Sequence, residues 1–263
     1  MSGKNLELET RLLAHAKQHS HLSPSIYIWD YSSGRSVEID SEAPVSAASI
    51  IKIPILFEFF RQIEDKNYGL NANLSTKVKF EELYRTSGSG DMQYLKSGGE
   101  YTFDYLANKM ITESDNTATN IILDYIGGAQ GMNRALRGWG LENSYMSNWL
   151  PDLRGTNRMS AKDVASVLYN LDNPSFLSAV HKEQIKEYMG NVKNRSLLRA
   201  GLPDEAILLH KTGDIGTMLG DAGVVLRSDG RKYIIVVMAK RPFNDYSARE
   251  FVKETSALVY KNL

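Results

Sequence analysis

A hydroxyl and an amine stand three residues apart in Ser49-Ile50-Ile51-Lys52, at the head of an apolar run that continues to Phe60. On a helix, residues i and i+3 share a face, so these two side chains can meet. A serine hydroxyl becomes a competent nucleophile when a neighbouring base takes its proton. A lysine can be that base only where burial or nearby charge lowers its pKa, and Ile50, Ile51, Ile53 and Ile55 supply an apolar setting. Helix-compatible residues from Leu56 to Lys66 predict a buried helix that opens at Ser49 and ends near Asn67-Tyr68-Gly69. A helix start also points unpaired backbone N–H groups at whatever the hydroxyl attacks. Taken alone, the stretch reads more simply as a serine N-cap with a lysine snorkelling off a core helix.

Two further clusters carry related chemistry. Ser114-Asp115-Asn116 falls between helices predicted over residues 102–110 and 117–126, and Lys211-Thr212-Gly213 falls on a strand predicted over 207–212. Each by itself reads as ordinary structure, the first as a helix cap and the second as a strand end. SxxK, SDN and KTG together, in this order and on these element types, are far rarer than any one of them. The combination reverses the reading.

On these motifs the chain resembles the penicillin-recognising serine enzymes, and within them the class A β-lactamases, over nearly its whole length. Ser114 to Asn120 resembles the start of the class A SDN helix. Trp149-Leu150-Pro151-Asp152-Leu153 resembles the class A Ω-loop, and Met159 to Asp163 the segment after it. The more specific likeness is to the cyanobacterial DD-peptidases of the penicillin-binding protein A type, built on the same fold. The resemblance implies Ser49 as the acylated nucleophile, Lys52 as its base or proton relay, and Ser114 as proton donor to the leaving nitrogen. It implies Asn116 as a ligand for the substrate amide and for Lys52, with Lys211 and Thr212, backed by Gly213, holding the substrate carboxylate. The backbone N–H groups of Ser49 and Asp214 would form the oxyanion hole, with the Asp214 side chain turned away.

One departure bears on function. Class A β-lactamases carry an Ω-loop glutamate that activates the hydrolytic water, and Leu150 stands at the matching position. Asp152 is two residues on, about 6–7 Å along an extended chain. Acylation should survive, and hydrolysis of a penicilloyl ester should be slow. A peptide differs, because its terminal D-Ala diffuses away and leaves room for water or an acceptor amine. The expectation is therefore a D-alanyl-D-alanine carboxypeptidase or transpeptidase acting on peptidoglycan stem peptides, with β-lactams as covalent inhibitors. The alternatives are a weak β-lactamase using Asp152 or another base, and a penicillin-sensing module without useful turnover.

Composition agrees. The 263 residues are 42% hydrophobic and 24% charged, with formal net charge +0, ordinary for a globular chain and without support for nucleic-acid binding. No apolar stretch is long enough to span a membrane. Cysteine is absent, which removes disulfides and thiol catalysis. His15, His19, His21, His181 and His210 form no HExxH pair, so neither a catalytic metal nor a cofactor is expected. The polar N-terminus has no signal-peptide core. A peptidoglycan substrate would place the enzyme outside the cytoplasmic membrane, with an export signal or anchor not carried here, and as a monomer.

The elements that must position these groups follow from patterning. A helix is expected over 6–17, a hairpin over 25–30 and 37–39, and helices over 130–138, 161–170, 175–181 and 184–189. Strands are expected over 207–212, 221–226 and 233–238, and a helix over 247–260; residues 70–100 read as polar and turn-rich, and 143–157 as a surface loop. Terminal strands unstable alone must share one sheet. The fold class expected is α/β (α+β): a five-stranded antiparallel sheet with terminal helices, formed by about 1–45 and 205–263, plus an all-helical subdomain over about 46–204. Tyr84 and the Ser87–Gly90 loop are expected to border the cleft.

Overall fold

The computed structural model describes residues 3–65 and 72–263. Helix α1 (Leu6–Gln18) leads into the hairpin β1 (Ser23–Asp30) and β2 (Arg35–Ile39), and the chain ends in β7 (Ile207–Ile215), β8 (Met218–Leu226), β9 (Lys232–Lys240) and α8 (Ser247–Asn262). These strands form one sheet in the order β2-β1-β9-β8-β7, antiparallel throughout. The hairpin opens the chain and β9 nearly closes it, so the sheet joins the two ends.

The apolar run of β9 explains its central place. Tyr233, Ile235, Val237 and Ala239 pack in one core with α1 and α8, while Ile234, Val236 and Met238 pack in a second core with the helical part. A strand buried on both faces reads as continuous apolar sequence rather than alternation.

Between the two groups of strands lie α2 (Lys52–Glu64), α3 (Phe103–Thr112), α4 (Asn116–Tyr125), α5 (Gly128–Gly138), α6 (Ala161–Tyr169) and α7 (Ala179–Gly190). Phe57, Phe59 and Phe60 of α2 are fully buried, so α2 is the axis around which the others pack. The region is not wholly helical. Val45–Ser46 (β3) pairs with Arg158–Met159 (β6), and Lys77–Lys79 (β4) with Glu100–Thr102 (β5). The two helices expected over 175–181 and 184–189 are one: Ser178 caps α7 through the His181 N–H, and the helix runs unbroken to Gly190. The expected end of the α2 segment at Asn67–Gly69 lies outside the described residues.

Candidate active site

The Ser49 segment is not α-helical at its start. Ala48–Ile51 form a 3₁₀ turn, and the α-helix begins at Lys52. Pro54 accounts for the difference. An α-helix capped at Ser49 would need the residue 54 N–H for a hydrogen bond, and proline has none; at the third position of a helix starting at Lys52 that N–H is not required. Ala48, just before Ser49, has φ 43°, a conformation non-glycine residues avoid and one that gathers at functional sites.

Lys52 is fully buried. Its Nζ donates to the Ser114 carbonyl at 2.5 Å, to Ser114 Oγ at 3.1 Å and to Asn116 Oδ1 at 2.9 Å. Ser114 has φ 59°, and the amine of Lys52 sits where that turned-out carbonyl and its hydroxyl converge. Burial lowers the Lys52 pKa well below the ordinary lysine value, the charge of Lys211 adds to the effect, and Asp115 opposes it. A lowered pKa favours the neutral amine, which can donate only two of these three bonds and has a lone pair free for a hydroxyl proton.

Asp115 is the N-cap of α4, with Oδ1 accepting from the Ala118 N–H at 2.8 Å and Oδ2 from the Met92 N–H at 2.9 Å. It thereby fixes the 87–92 loop to the helix carrying Asn116, whose Nδ2 donates to the Ser87 carbonyl at 3.1 Å. Gly90 makes this approach possible. Its φ is +93°, and a Cβ there would fall 2.0 Å from Asp115 Oδ2 and 2.5 Å from Asp115 Cα. Gly90→Ala is expected to cost about 3 kcal/mol and to lower Tm by roughly 6–12 °C in a thermal melt; an unchanged Tm would mean the loop is not held this way.

Lys211 and Thr212 arrive on β7, at the edge of the sheet. Lys211 is fully buried, with Nζ donating to the Thr212 carbonyl at 2.9 Å. Burial lowers its pKa to about 8, against the opposing pull of Asp221. A Cβ on Gly213 would lie 3.0 Å from Ile50 Cγ1 and 3.2 Å from Ile50 N, so glycine lets β7 lie close against the Ser49 turn. The Asp214 carboxylate is engaged by the buried guanidinium of Arg241, which neutralises an anion beside the cavity. Ser49, Ser114, Lys211, Thr212 and Asp214 converge on one cavity of about 370 Å³. Ser89 and Gly90 line it as well; Tyr84 does not, stacking instead on Trp149 with ring centroids 5.9 Å apart. Lys52 and Asn116 are not on its wall; Lys52 Nζ joins Asn116 Oδ1 to Ser114 Oγ behind it.

The 143–157 loop is held by two side chains and a backbone carbonyl. Asn120 of α4 accepts the Leu150 N–H at 3.0 Å and donates to the Leu150 carbonyl at 2.8 Å, so Leu150 is pinned against α4 and buried. Asp152 accepts from Thr156 Oγ1 at 2.8 Å and from the Asn157 N–H at 2.5 Å. The Asn157 carbonyl in turn accepts the Ala47 N–H at 2.9 Å, hanging the loop from the residue two before the nucleophile. Both oxygens of Asp152 thus accept hydrogen bonds inside the loop, and neither Asp152 nor Leu150 is among the residues lining the cavity.

Sequence reasoning missed the support behind Lys211. His210 Nδ1 lies 2.9 Å from Asp221 Oδ1, and Asp221 Oδ2 accepts the Leu198 N–H at 3.1 Å. An aspartate amid the apolar residues of β8 was the available signal, as was Asn120 amid those of α4.

Comparison with known proteins agrees with this architecture. Residues 7–263 match the beta-lactamase enzyme family. The chain is 27% identical to the imipenem-hydrolyzing beta-lactamase of Enterobacter cloacae over 253 residues, covering 90% of this chain and 84% of that protein. Against the solved structure of PBP-A it has a TM-score of 0.94 at 34% identity, covering 98% of this chain and 96% of that one. It is equally similar in fold (TM-score 0.94, 33% identity, 99% and 97% covered) to a leucine-to-glutamate mutant of PBP-A, solved as an acyl-enzyme complex with penicillin G. With the class A fold, and with Ser49, Ser114 and Lys211 around one cavity and Lys52 buried behind Ser114, the chain belongs to the beta-lactamase enzyme family.

Proposed function

We propose that this chain is a serine DD-peptidase, cleaving D-alanyl-D-alanine stem peptides of peptidoglycan through an acyl-enzyme on Ser49. The observation that carries the reading is the loop: Leu150 stands where the class A resemblance expects the deacylating glutamate, and Asp152, two residues on, is bonded within the loop through both oxygens. The likeness to PBP-A supports it.

Lys52 takes the Ser49 proton as Oγ bonds to the carbonyl carbon of the penultimate D-Ala. The carbonyl oxygen becomes an oxyanion held by the Ser49 and Asp214 N–H groups. The C–N bond breaks as Ser114, recharged through its bond to Lys52, gives a proton to the leaving nitrogen, and an ester remains on Ser49. Lys211 and Thr212 hold the terminal carboxylate. Water then yields the acid and free enzyme, or an acceptor amine yields a new amide. Such a substrate lies outside the cytoplasmic membrane, and we place the working enzyme there.

The test compares two lifetimes. With benzylpenicillin, intact mass is expected to show an adduct persisting for minutes to hours, while a D-Ala-D-Ala peptide is turned over with release of D-Ala. Free protein with hydrolysed penicillin would instead make the chain a β-lactamase, and an adduct without peptide turnover would make it a sensor. Leu150→Glu is expected to shorten the penicilloyl lifetime by about 10²-fold, the scale of general base catalysis. An unchanged lifetime would place the deacylating water away from this loop.

A further inference from the structure

Three histidines near the N-terminus have no part in the chemistry above; all three meet α8, two of them at Glu254. His15 and His19 are one turn apart on α1 and at its end, and Glu254 lies on α8. The His15 and His19 side chains are 11% and 18% exposed and Glu254 53%, so the cluster is half-sunk yet open to solvent. His15 Nε2 is 3.9 Å and His19 Nε2 3.5 Å from the same oxygen, Glu254 Oε2, and the three ligand atoms all lie within 4.8 Å of one another.

We infer that α1 and α8 together hold a site for a divalent first-row transition ion, with His15, His19 and Glu254 as its three protein ligands and solvent in the remaining position. The separations argue for it. They are longer than the 2.7–3.2 Å of a hydrogen bond. Ligands bonded tetrahedrally at 2.0–2.1 Å sit about 3.3 Å from one another, which rotations of well under 2 Å would reach. Two imidazoles and one carboxylate suit zinc, nickel or copper and not magnesium or calcium.

The rings are also held from behind. Phe251, buried and one turn before Glu254, stacks on His15 with centroids 4.9 Å apart and planes 2° apart, and meets His19 edge-on at 5.3 Å. Such packing fixes ring orientation in the way a supporting shell does. The Phe251 carbonyl lies 3.5 Å from His15 Nε2, a weak partner that a metal would displace. His21 is not a ligand; its Nε2 is taken by Ser247 Oγ at 2.7 Å. The ion would tie the first helix of the chain to the last.

The test uses the intact, chelator-treated chain with Zn²⁺, which no cysteine here can capture. Calorimetry is expected to show one saturable site, and a melt in Zn²⁺ at about a hundred times Kd should raise Tm by roughly 5–10 °C. His15→Ala with His19→Ala is expected to abolish both effects, and Glu254→Gln to weaken binding at least tenfold. Slower amide exchange in both α1 and α8 on adding Zn²⁺ would show that the clip spans the two helices. No saturable uptake by the wild-type chain, or the same affinity in the double variant, would overturn the proposal.

Discussion

Ser49→Ala is expected to leave a folded protein that neither takes up benzylpenicillin covalently nor releases D-Ala, with turnover down by roughly 10⁵- to 10⁶-fold, the scale on which serine hydrolases lose activity without their nucleophile. Fold and binding should survive, because Ser49 is not part of either hydrophobic core and Lys52 draws its hydrogen bonds from Ser114 and Asn116. Noncovalent β-lactam binding should therefore still raise Tm. Intact mass and D-Ala release read the two halves separately. D-Ala release that persists in this variant would end the peptidase reading, and a persisting adduct would move the nucleophile elsewhere.

Lys52→Met is expected to slow acylation by about 10²- to 10⁴-fold. Methionine replaces much of the stem's volume and leaves the Ser114 carbonyl and Asn116 Oδ1 without their donor, a loss of about 1–3 kcal/mol per unsatisfied group. Removing a buried charge offsets part of it. The pH profile separates the base from a merely structural lysine. Lys52 must be neutral to accept the Ser49 proton, and its lowered pKa means that acylation falls only as pH drops through that lowered value. Lys211 must be charged to hold a carboxylate, and its pKa of about 8 means that acylation also falls as pH rises past about 8. The wild-type rate should thus be bell-shaped, and Lys52→Met should lose the acid limb while keeping the alkaline one. An unaltered acid limb would assign that titration, and the role of base, to another group.

Much of the site was legible because its chemistry is written in short range. Ser49-x-x-Lys52 declares itself by spacing and by the isoleucines around it, and Ser114-Asp115-Asn116 by its place between helices. What spacing could not convey is that Lys52 finds its acceptors in residues 62 and 64 positions away, so the pair reads as Ser49 with Lys52 when the bonds run to Ser114 and Asn116. The 3₁₀ start rests on Pro54, whose effect on the preceding turn no apolar spacing conveys. The antiparallel sheet and the terminal helices followed from periodicity. The β4–β5 ribbon did not, because Lys-Val-Lys and Glu-Tyr-Thr are too short and too polar to alternate. The sequence predicts two helices where α7 is one, because its buried positions, Lys182, Ile185, Tyr188 and Met189, begin with a lysine that looks like surface. Strand β8 was started late, at Asp221, because Gly220 resembles a breaker. There a Cβ would lie 2.6 Å from the Val237 carbonyl, so glycine is demanded by the neighbouring strand.

The position of β7 carries one more implication. Among the described residues no strand pairs with its outer edge, and that edge holds Lys211, Thr212 and Asp214 beside the cavity. Sheets ordinarily blunt or cover such an edge, since it is a template for any extended chain that meets it. Here concealment and catalysis pull in opposite directions. A stem peptide that lies along β7 would complete the sheet as its sixth strand, held backbone to backbone before any bond is broken.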